Sequence, residues 1–354
     1  MLPDIPSVPG ILSAQQCRDT ADSIAAVQHR SGAIPWSAGG HTDPWDHVEC
    51  AMALTAAGRL DAARAAYEWS RRTQRPDGSW PIQLRDDVVE DPHSDTNFCA
   101  YIAAGVWHHL LVTGDRDFAA TMWPTVRRAI DFVLDLQRPG GEICWAHSVS
   151  GPIPEALVTG SASIQHSLRC ALALAETLGE SQPDWELAAG RLGHALTDHP
   201  ELFTEKPHHS MDWYYPVLGG ALRGAAAEER ITDRWSEFVV EGLGIRCVDD
   251  RPWVTGAETC ELALTLQALG DLDRATELLA NMQHLRERDG SYWTGLVYAD
   301  GKRWPVERTT WTAAAVILAA DALSDATGGA GLFRCDELPA VPVDDCDCAR
   351  ARAR

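Results

Sequence analysis

Two distant stretches of this chain repeat one design. Residues 46–75 read DHVECAMALTAAGRLDAARAAYEWSRRTQR, and residues 257–288 read AETCELALTLQALGDLDRATELLANMQHLRER. Each is an apolar helical pattern, a short turn and a second helical pattern. The turns are Ala57-Gly58-Arg59-Leu60-Asp61 and Leu269-Gly270-Asp271-Leu272-Asp273. Gly58 and Gly270 can take the left-handed conformation that ends a helix. Asp61, and Asp271 or Asp273, can cap the helix that follows. Gly114-Asp115 repeats the device. These are αα-hairpins, and a series of them must bury their apolar faces on one another.

Helical patterns recur at about 14–29, 45–57, 60–74, 95–113, 115–137, 160–178, 183–197, 213–226, 232–241, 256–268, 271–285 and 307–324, twelve in all, with no alternating run long enough to make a sheet. The expected fold is therefore all-α. An inner ring of six helices inside an outer ring of six, the α/α toroid, fits the count and the alternation of short turns with long connections. The alternative, an open solenoid, is disfavoured by unequal hairpins and by long loops rich in bulky aromatics. One domain is expected over 1–325, with 326–354 a flexible tail.

The chain has 51 acidic and 30 basic residues and a net charge of −21. That excludes a basic nucleic-acid groove and docking on anionic lipid. No run of apolar residues is long enough to span a membrane, and the proline-broken start MLPDIPSVPGIL is not a secretory signal. Five of the ten cysteines, Cys17, Cys50, Cys99, Cys170 and Cys260, fall in apolar helical patterns, as buried reduced thiols do. A cytoplasmic location follows as the expectation. Cys346-Asp347-Cys348 has the spacing of a partial metal clip but no further ligands nearby, and no metal or cofactor is expected.

The chain carries 14 tryptophans against six Phe and six Tyr; six lie in the long connections, and Trp45 and Trp213 stand where a connection meets a helix. Trp45 adjoins Asp46 and His47; Trp80 follows Gly78; His93 precedes Asp95; Trp145 follows Glu142 and precedes His147. Asp212, Trp213 and Tyr214 are consecutive, Trp253 precedes Glu258, and Trp293 and Trp304 lead to Glu307. In a ring, one face collects these loops around a funnel walled by indoles, with carboxylates aimed inward. Sugar rings stack on indoles, and glycosidic cleavage needs two carboxyls flanking the bond. Carbocations also favour indole faces. Each pairing has a structural explanation as well, since indoles staple loops and carboxylates cap helices.

Two resemblances meet here. Gln74-Arg-Pro-Asp-Gly78-Ser-Trp80 resembles the Q-x-x-x-G-x-W repeat of terpenoid cyclases and protein prenyltransferase β-subunits, and Asp91-Pro-His93…Thr96…Ala100 is similar to the prenyltransferase spacing. Gln137…Gly141…Trp145 and Gln283…Gly290…Trp293 are stretched echoes. Separately, Gly114-Asp-Arg-Asp-Phe118…Trp123-Pro124…Ala129-Ile-Asp-Phe132, then Gly140-Gly-Glu-Ile-Cys-Trp145 and Trp304-Pro305…Thr310-Trp311, look like the six-hairpin glycosidases of glucoamylase and trehalase type. Both resemblances imply the α/α toroid. Neither catalytic apparatus transfers intact. Ala146 stands where glucoamylase-like enzymes have an acid, the last loop offers Glu307 or Asp300, no D-x-D-D occurs, and Cys260 lacks the zinc partners of prenyltransferases.

The first expectation is a carbohydrate-active enzyme working by carboxylate acid/base chemistry on an oligosaccharide or smaller substrate. Asp212 or Glu142 would be the acid and Glu258 or Glu307 the base, with Asp46 and Asp95 as further candidates. Trp45, His47, Trp80, His93, Trp145, Trp213, Tyr214, Trp253, Trp293 and Trp304 would bind substrate. The runner-up is an isoprenoid-handling enzyme of prenyltransferase or cyclase type. With only two lysines, it would need arginines such as Arg251, Arg303 and Arg308 to hold a diphosphate. The third reading is a non-catalytic glycan- or partner-binding ring.

Overall fold

The computed structural model describes residues 4–335 and 337–341. In chain order the helices are α1 (Ala14–Val27), α2 (Pro44–Ala56), α3 (Leu60–Thr73), α4 (Thr96–Ala100), α5 (Ile102–Thr113), α6 (Arg116–Leu134) and α7 (Val158–Leu178). There follow α8 (Pro183–Asp198), α9 (Ser210–Leu218), α10 (Gly224–Asp233), α11 (Trp235–Phe238), α12 (Gly256–Ala268), α13 (Leu272–Asn281) and α14 (Thr310–Ser324). The short α4 continues into α5 across Tyr101, and α11 is a single turn. Ten of the twelve sequence patterns fall on a helix each, whereas 213–226 runs past the end of α9 into α10, and 232–241 meets only the end of α10 and the single turn of α11.

The hairpin turns form as their residues dictate. Gly58, Gly114 and Gly270 have φ of 73°, 66° and 80°, the left-handed region that glycine enters without penalty. Asp115 and Asp271 cap the helices after them by accepting from Phe118 N and Arg274 N. Asp61 and Asp273 lie in first turns instead, where the helix dipole favours a negative charge.

The helices close on themselves. α2 packs on α5, α5 on α7, α7 on α9, α9 on α12, α12 on α14, and α14 returns to α2. Outside this ring α1 lies against α14, α3 against α2, α6 against α5, α8 against α7, α10 against α9 and α13 against α12. Burial follows position. Every residue of α2 is buried, as is α14 from Thr310 to Ala322, whereas α3 and α13 bury one stripe and expose the other.

The outer helices are stitched together by a repeated device. Gln28 donates to Gly32 O and Ala62 O, Gln74 to Gly78 O and Thr125 O, and Gln137 to Gly141 O and Ala188 O. In each case a glutamine at an outer helix's end ties its own loop to the next outer helix. Gly32, Gly78 and Gly141 have φ of 98°, 94° and 98°, and a Cβ on any of them would strike a backbone carbonyl of that next helix. Gly290 docks on Asp19 of α1 in the same way and so closes the circle. The Q-x-x-x-G pattern is therefore architectural here.

The expectation of a purely all-α chain needs correcting. Among the described residues, ten short strands lie between outer-helix ends and inner-helix starts. One antiparallel sheet joins Ser94–Asp95, Ala146–Ser148 and Gly151–Ile153. Another joins Val239–Val240, Gly244–Arg246, Trp253–Thr255, Gly295–Val297 and Lys302–Arg303. Gln83–Arg85 pairs with Val88–Asp91. Runs of two to four residues are too short to show a period of two, so sequence patterning misses them.

The segment after α14 is docked as far as it is described. Arg169 donates to the carbonyls of Cys335, Leu338 and Pro339, Arg223 donates to Phe333 O, and Phe333 stacks on His166. Leu332 and Leu338 are buried. Residues 327–335 and 337–341 therefore cover the ring at the end where α14 finishes, inside the stretch read as a flexible tail. Cys346 and Cys348 lie outside the described residues. Among the described residues, no helix is long and apolar enough to cross a membrane.

Candidate active site

The inner helices present their first turns to one end of the ring, and a cavity of about 290 Å³ opens there. Trp45 and Asp46 of α2, Asn97 and Phe98 of α4, Thr159 and Ser161 of α7 border it. Met211 and Tyr215 of α9 and Trp311 of α14 continue the wall, and Trp36, Asp95, Ile143, Trp145 and Leu157 complete it from loops. Converging helix N-termini favour negative charge at this end.

Carboxyls crowd the α2–α4 side. Asp43 caps α2, its Oδ1 accepting from Trp45 N at 3.0 Å and from Asp46 N at 2.9 Å. Asp46 is buried beside it. Burial first, then the negative charge of Asp43, Glu49 and Glu261, holds the Asp46 carboxyl well above the usual carboxylate range. Asp95 caps α4 by accepting from Phe98 N at 3.1 Å. Burial pushes it up to about 7 against that cap bond.

Deeper on the ring axis lie Glu49 and Glu261. Tyr215 donates to Glu261 at 2.6 Å, Tyr214 donates to its other oxygen, and Tyr101 donates to Glu49 at 3.4 Å. Burial pushes Glu261 up to about 8. Glu258, in the first turn of α12, is also buried, and burial raises it. It does not border the cavity, yet it stands at the same end of the ring, between α9 and α14, which do.

Of the residues read from sequence, the structure brings Trp45, Asp46, Asp95 and Trp145 to the cavity. Glu307 reaches its rim by accepting the indole N–H of Trp36 at 2.8 Å. The others are placed elsewhere. Asp212 spends both oxygens on structure, accepting from Thr159 Oγ1 at 2.5 Å and from Lys206 N at 2.8 Å. Glu142 pairs with Arg138 at 3.3 Å. His47 accepts from Ile34 N through Nδ1 and donates from Nε2 to Ala66 O; burial lowers it to about 4. His93 pairs with Asp91 at 2.6 Å near the surface.

The remaining aromatics mostly act as staples. Trp80 donates to Ser70 O, Trp213 to Arg230 O and Trp293 to Glu287. Tyr214 lies in the axial cluster. Trp253 donates to Trp304 O and meets that ring edge-on at 4.7 Å.

Sequence reasoning passed over Asp43, Asn97, Trp36, Met211, Tyr215 and Trp311. The Asp43-Pro44 pair was a readable helix start, and its cap position is what brings a second carboxyl beside Asp46. Asn97 Oδ1 and Trp45 Nε1 are buried at the wall with no protein hydrogen-bond partner, although buried polar atoms normally have one.

The chain is 69% identical over 347 residues to the MMP endo-(1,4)-3-O-methyl-α-D-mannosidase of Mycolicibacterium hassiacum, covering 98% of this chain and 97% of that enzyme. No protein-family model matches. Among solved structures, a wild-type glycosidase is 15% identical with a TM-score of 0.70, covering 90% of this chain and 97% of that one. An α-amylase from Clostridium perfringens is 10% identical with a TM-score of 0.66, covering 88% and 99%. A D-mannose isomerase is 10% identical with a TM-score of 0.62, covering 89% and 99%. The structural likenesses identify a glycosidase-like helical fold. The isoprenoid alternative finds no support among these relatives, and the Q-x-x-x-G pattern that suggested it is accounted for by the stitching of the outer helices.

Proposed function

This chain belongs to the endo-(1,4)-3-O-methyl-α-D-mannosidase family and is a glycoside hydrolase; from that premise we propose that it cuts internal α-(1,4) links in chains of 3-O-methylmannose. The observation that carries the catalytic part is the place of Asp46, a buried carboxyl at the wall of an indole-lined cavity, where burial and its acidic neighbours strengthen its hold on a proton. A protonated carboxyl is what departure of a glycosidic oxygen requires. Asp46 is the general acid, and burial beside Asp43, Glu49 and Glu261 makes its ionisation costly.

The second carboxylate must approach the sugar from another side. Asp43, Asp46 and Asp95 all belong to the α2–α4 side, whereas α12 stands across the ring from the α4–α5 segment. Glu258, in the first turn of α12, is the partner that would activate water once it has given up its proton. Trp45, Trp145, Trp36 and Trp311 give the sugar rings indole faces, and Asn97 supplies an acceptor to a hydroxyl. The closed double ring supports reading the fold as the α/α toroid of six-hairpin glycosidases. Cys17, Cys50, Cys99, Cys144, Cys170, Cys247 and Cys260 are free thiols, which supports a cytoplasmic setting.

The test is product analysis on defined α-(1,4)-linked 3-O-methylmannose oligosaccharides. Shortening by internal cuts is expected, with turnover lost in Asp46→Asn and in Glu258→Gln. A wild-type enzyme that leaves these chains intact refutes the substrate. Turnover surviving in both variants refutes the residue assignment.

A further inference from the structure

The cavity has two unlike sides. The α2–α4 side carries Asp46, Asp95 and Asn97. The side made by α7, α9 and the loop before α7 offers Leu157, Ile164 and Met211 beside Thr159, Ser161 and Tyr215, and the Thr159 and Tyr215 hydroxyls are already engaged. The Thr159 hydroxyl is given to Asp212, and Asp212 itself, adjacent to Met211, is occupied by Thr159 and the Lys206 amide. No charged residue borders the cavity on this side.

A wall of this kind is costly for an ordinary sugar. Unmodified hexoses carry a hydroxyl on almost every ring carbon, and a hydroxyl pressed on aliphatic carbon loses its water without gaining a partner. A methyl ether turns the same position into a small apolar cap with no donor to satisfy. We propose that Leu157, Ile164 and Met211 form a receptor for the 3-O-methyl group of the mannose unit, and that this patch selects methylated over unmethylated chains. The inference rests on the substrate reading above and adds to it the residues that impose the choice.

Magnitude fixes what to expect. An apolar pocket discriminates one added carbon by about 10- to 200-fold in kcat/KM. Leu157 and Met211 are only partly buried, so polar replacements of similar size are accommodated without opening the core. The experiment compares kcat/KM on matched α-(1,4)-mannose oligosaccharides with and without 3-O-methyl groups, for the wild type, Met211→Gln and Leu157→Asn. The wild type is expected to prefer the methylated chain by at least tenfold. Each variant is expected to bring that ratio down several-fold, through loss on the methylated chain. Equal wild-type cleavage of both chains overturns the receptor while leaving the hydrolase reading intact. So does a ratio that survives both substitutions, or variants that lose both activities in parallel. Absence of wild-type cleavage on either chain overturns the substrate reading and the receptor with it.

Discussion

Tyr215 walls the cavity with its ring while donating its hydroxyl at 2.6 Å to Glu261, so one side chain joins the candidate site to the buried carboxyls on the ring axis. Those carboxyls make stability depend on pH. Burial raises Glu261 from 4.5 to about 8 and Asp95 from 3.8 to about 7. The folded chain thus keeps protons that the unfolded chain releases, and its stability falls as pH climbs from the unfolded values through the folded ones. His47 and His108, lowered by burial from 6.5 to about 4 and about 3, act the other way, costing stability only as pH drops below 6.5. Between pH 6.5 and 8 the carboxyls act unopposed. The melting temperature is expected to fall across that window, and Glu261→Gln is expected to flatten the fall. A flat wild-type profile would contradict the burial argument.

Removing the acid and removing the base should both stop turnover while sparing the fold. Asp46→Asn and Glu258→Gln are each expected to lower kcat by about 10²- to 10⁴-fold, the worth of a positioned proton-transfer group. Neither is expected to lower the melting temperature by much, since the amide keeps the size of the side chain and adds no charge to be buried. Asp95→Asn keeps an efficient cap and is expected to retain activity within about tenfold. Steady-state kinetics beside thermal melts separate the three. A larger kcat loss in Asp95→Asn than in Glu258→Gln would move the second catalytic role to Asp95.

The fold was legible where local chemistry and global packing ask for the same residue. Gly58 and Gly270 end helices and Asp115 and Asp271 start them, so those hairpins read directly, whereas the stretch from α9 to α11 lacks such stops and its patterns 213–226 and 232–241 miss the bounds of α10. The short strands were illegible because pairings such as Val240 with Gly244 leave no periodic trace. Asp46, Asp95, Trp45 and Trp145 were legible as aromatic–acid neighbours in connections. Asp212 shows the limit of that signal. Its aromatic surroundings resemble those of a raised acid, but the Lys206 amide and Thr159 hydroxyl that consume it come from other segments. Asp43 was read past because a cap and a catalytic neighbour look alike in sequence. Tyr215 was missed because its Glu261 partner lies on a different helix.

The loop glycines that stitch the outer ring carry a clear stability cost if replaced. Gly78 has φ of 94°, and a Cβ there would strike the carbonyl of Arg128 on α6. Gly78→Ala is expected to lose about 1–3 kcal/mol from backbone strain alone, with the clash adding to it. Gly10, with φ of 78° and nothing near its Cβ position, serves as the control with strain and no clash. A denaturant melt that places Gly78→Ala level with Gly10→Ala would show that the α3–α6 stitch does not bear on stability.

Trp304 offers the cleanest probe of how far a bound chain extends beyond the cavity. Its side chain is 54% exposed, its ring meets Trp253 edge-on, and its loop runs on to Glu307, which holds the cavity-wall indole of Trp36. An exposed indole set beside a cleft and braced by another is a stacking platform for a sugar ring outside the cleft. Trp304→Ala removes little buried contact, so stability is expected to change by no more than about 0.5 kcal/mol. On long oligosaccharides KM is expected to rise several-fold, since a stacking contact of about 0.5–1.5 kcal/mol is lost, while kcat holds because the reacting carboxyls are untouched. On the shortest chain that is still cut, no change in KM is expected, since nothing reaches the platform. An equal KM rise for short and long chains would place Trp304 at the cleavage site itself, and no rise for either would leave the exposed indole outside the substrate path.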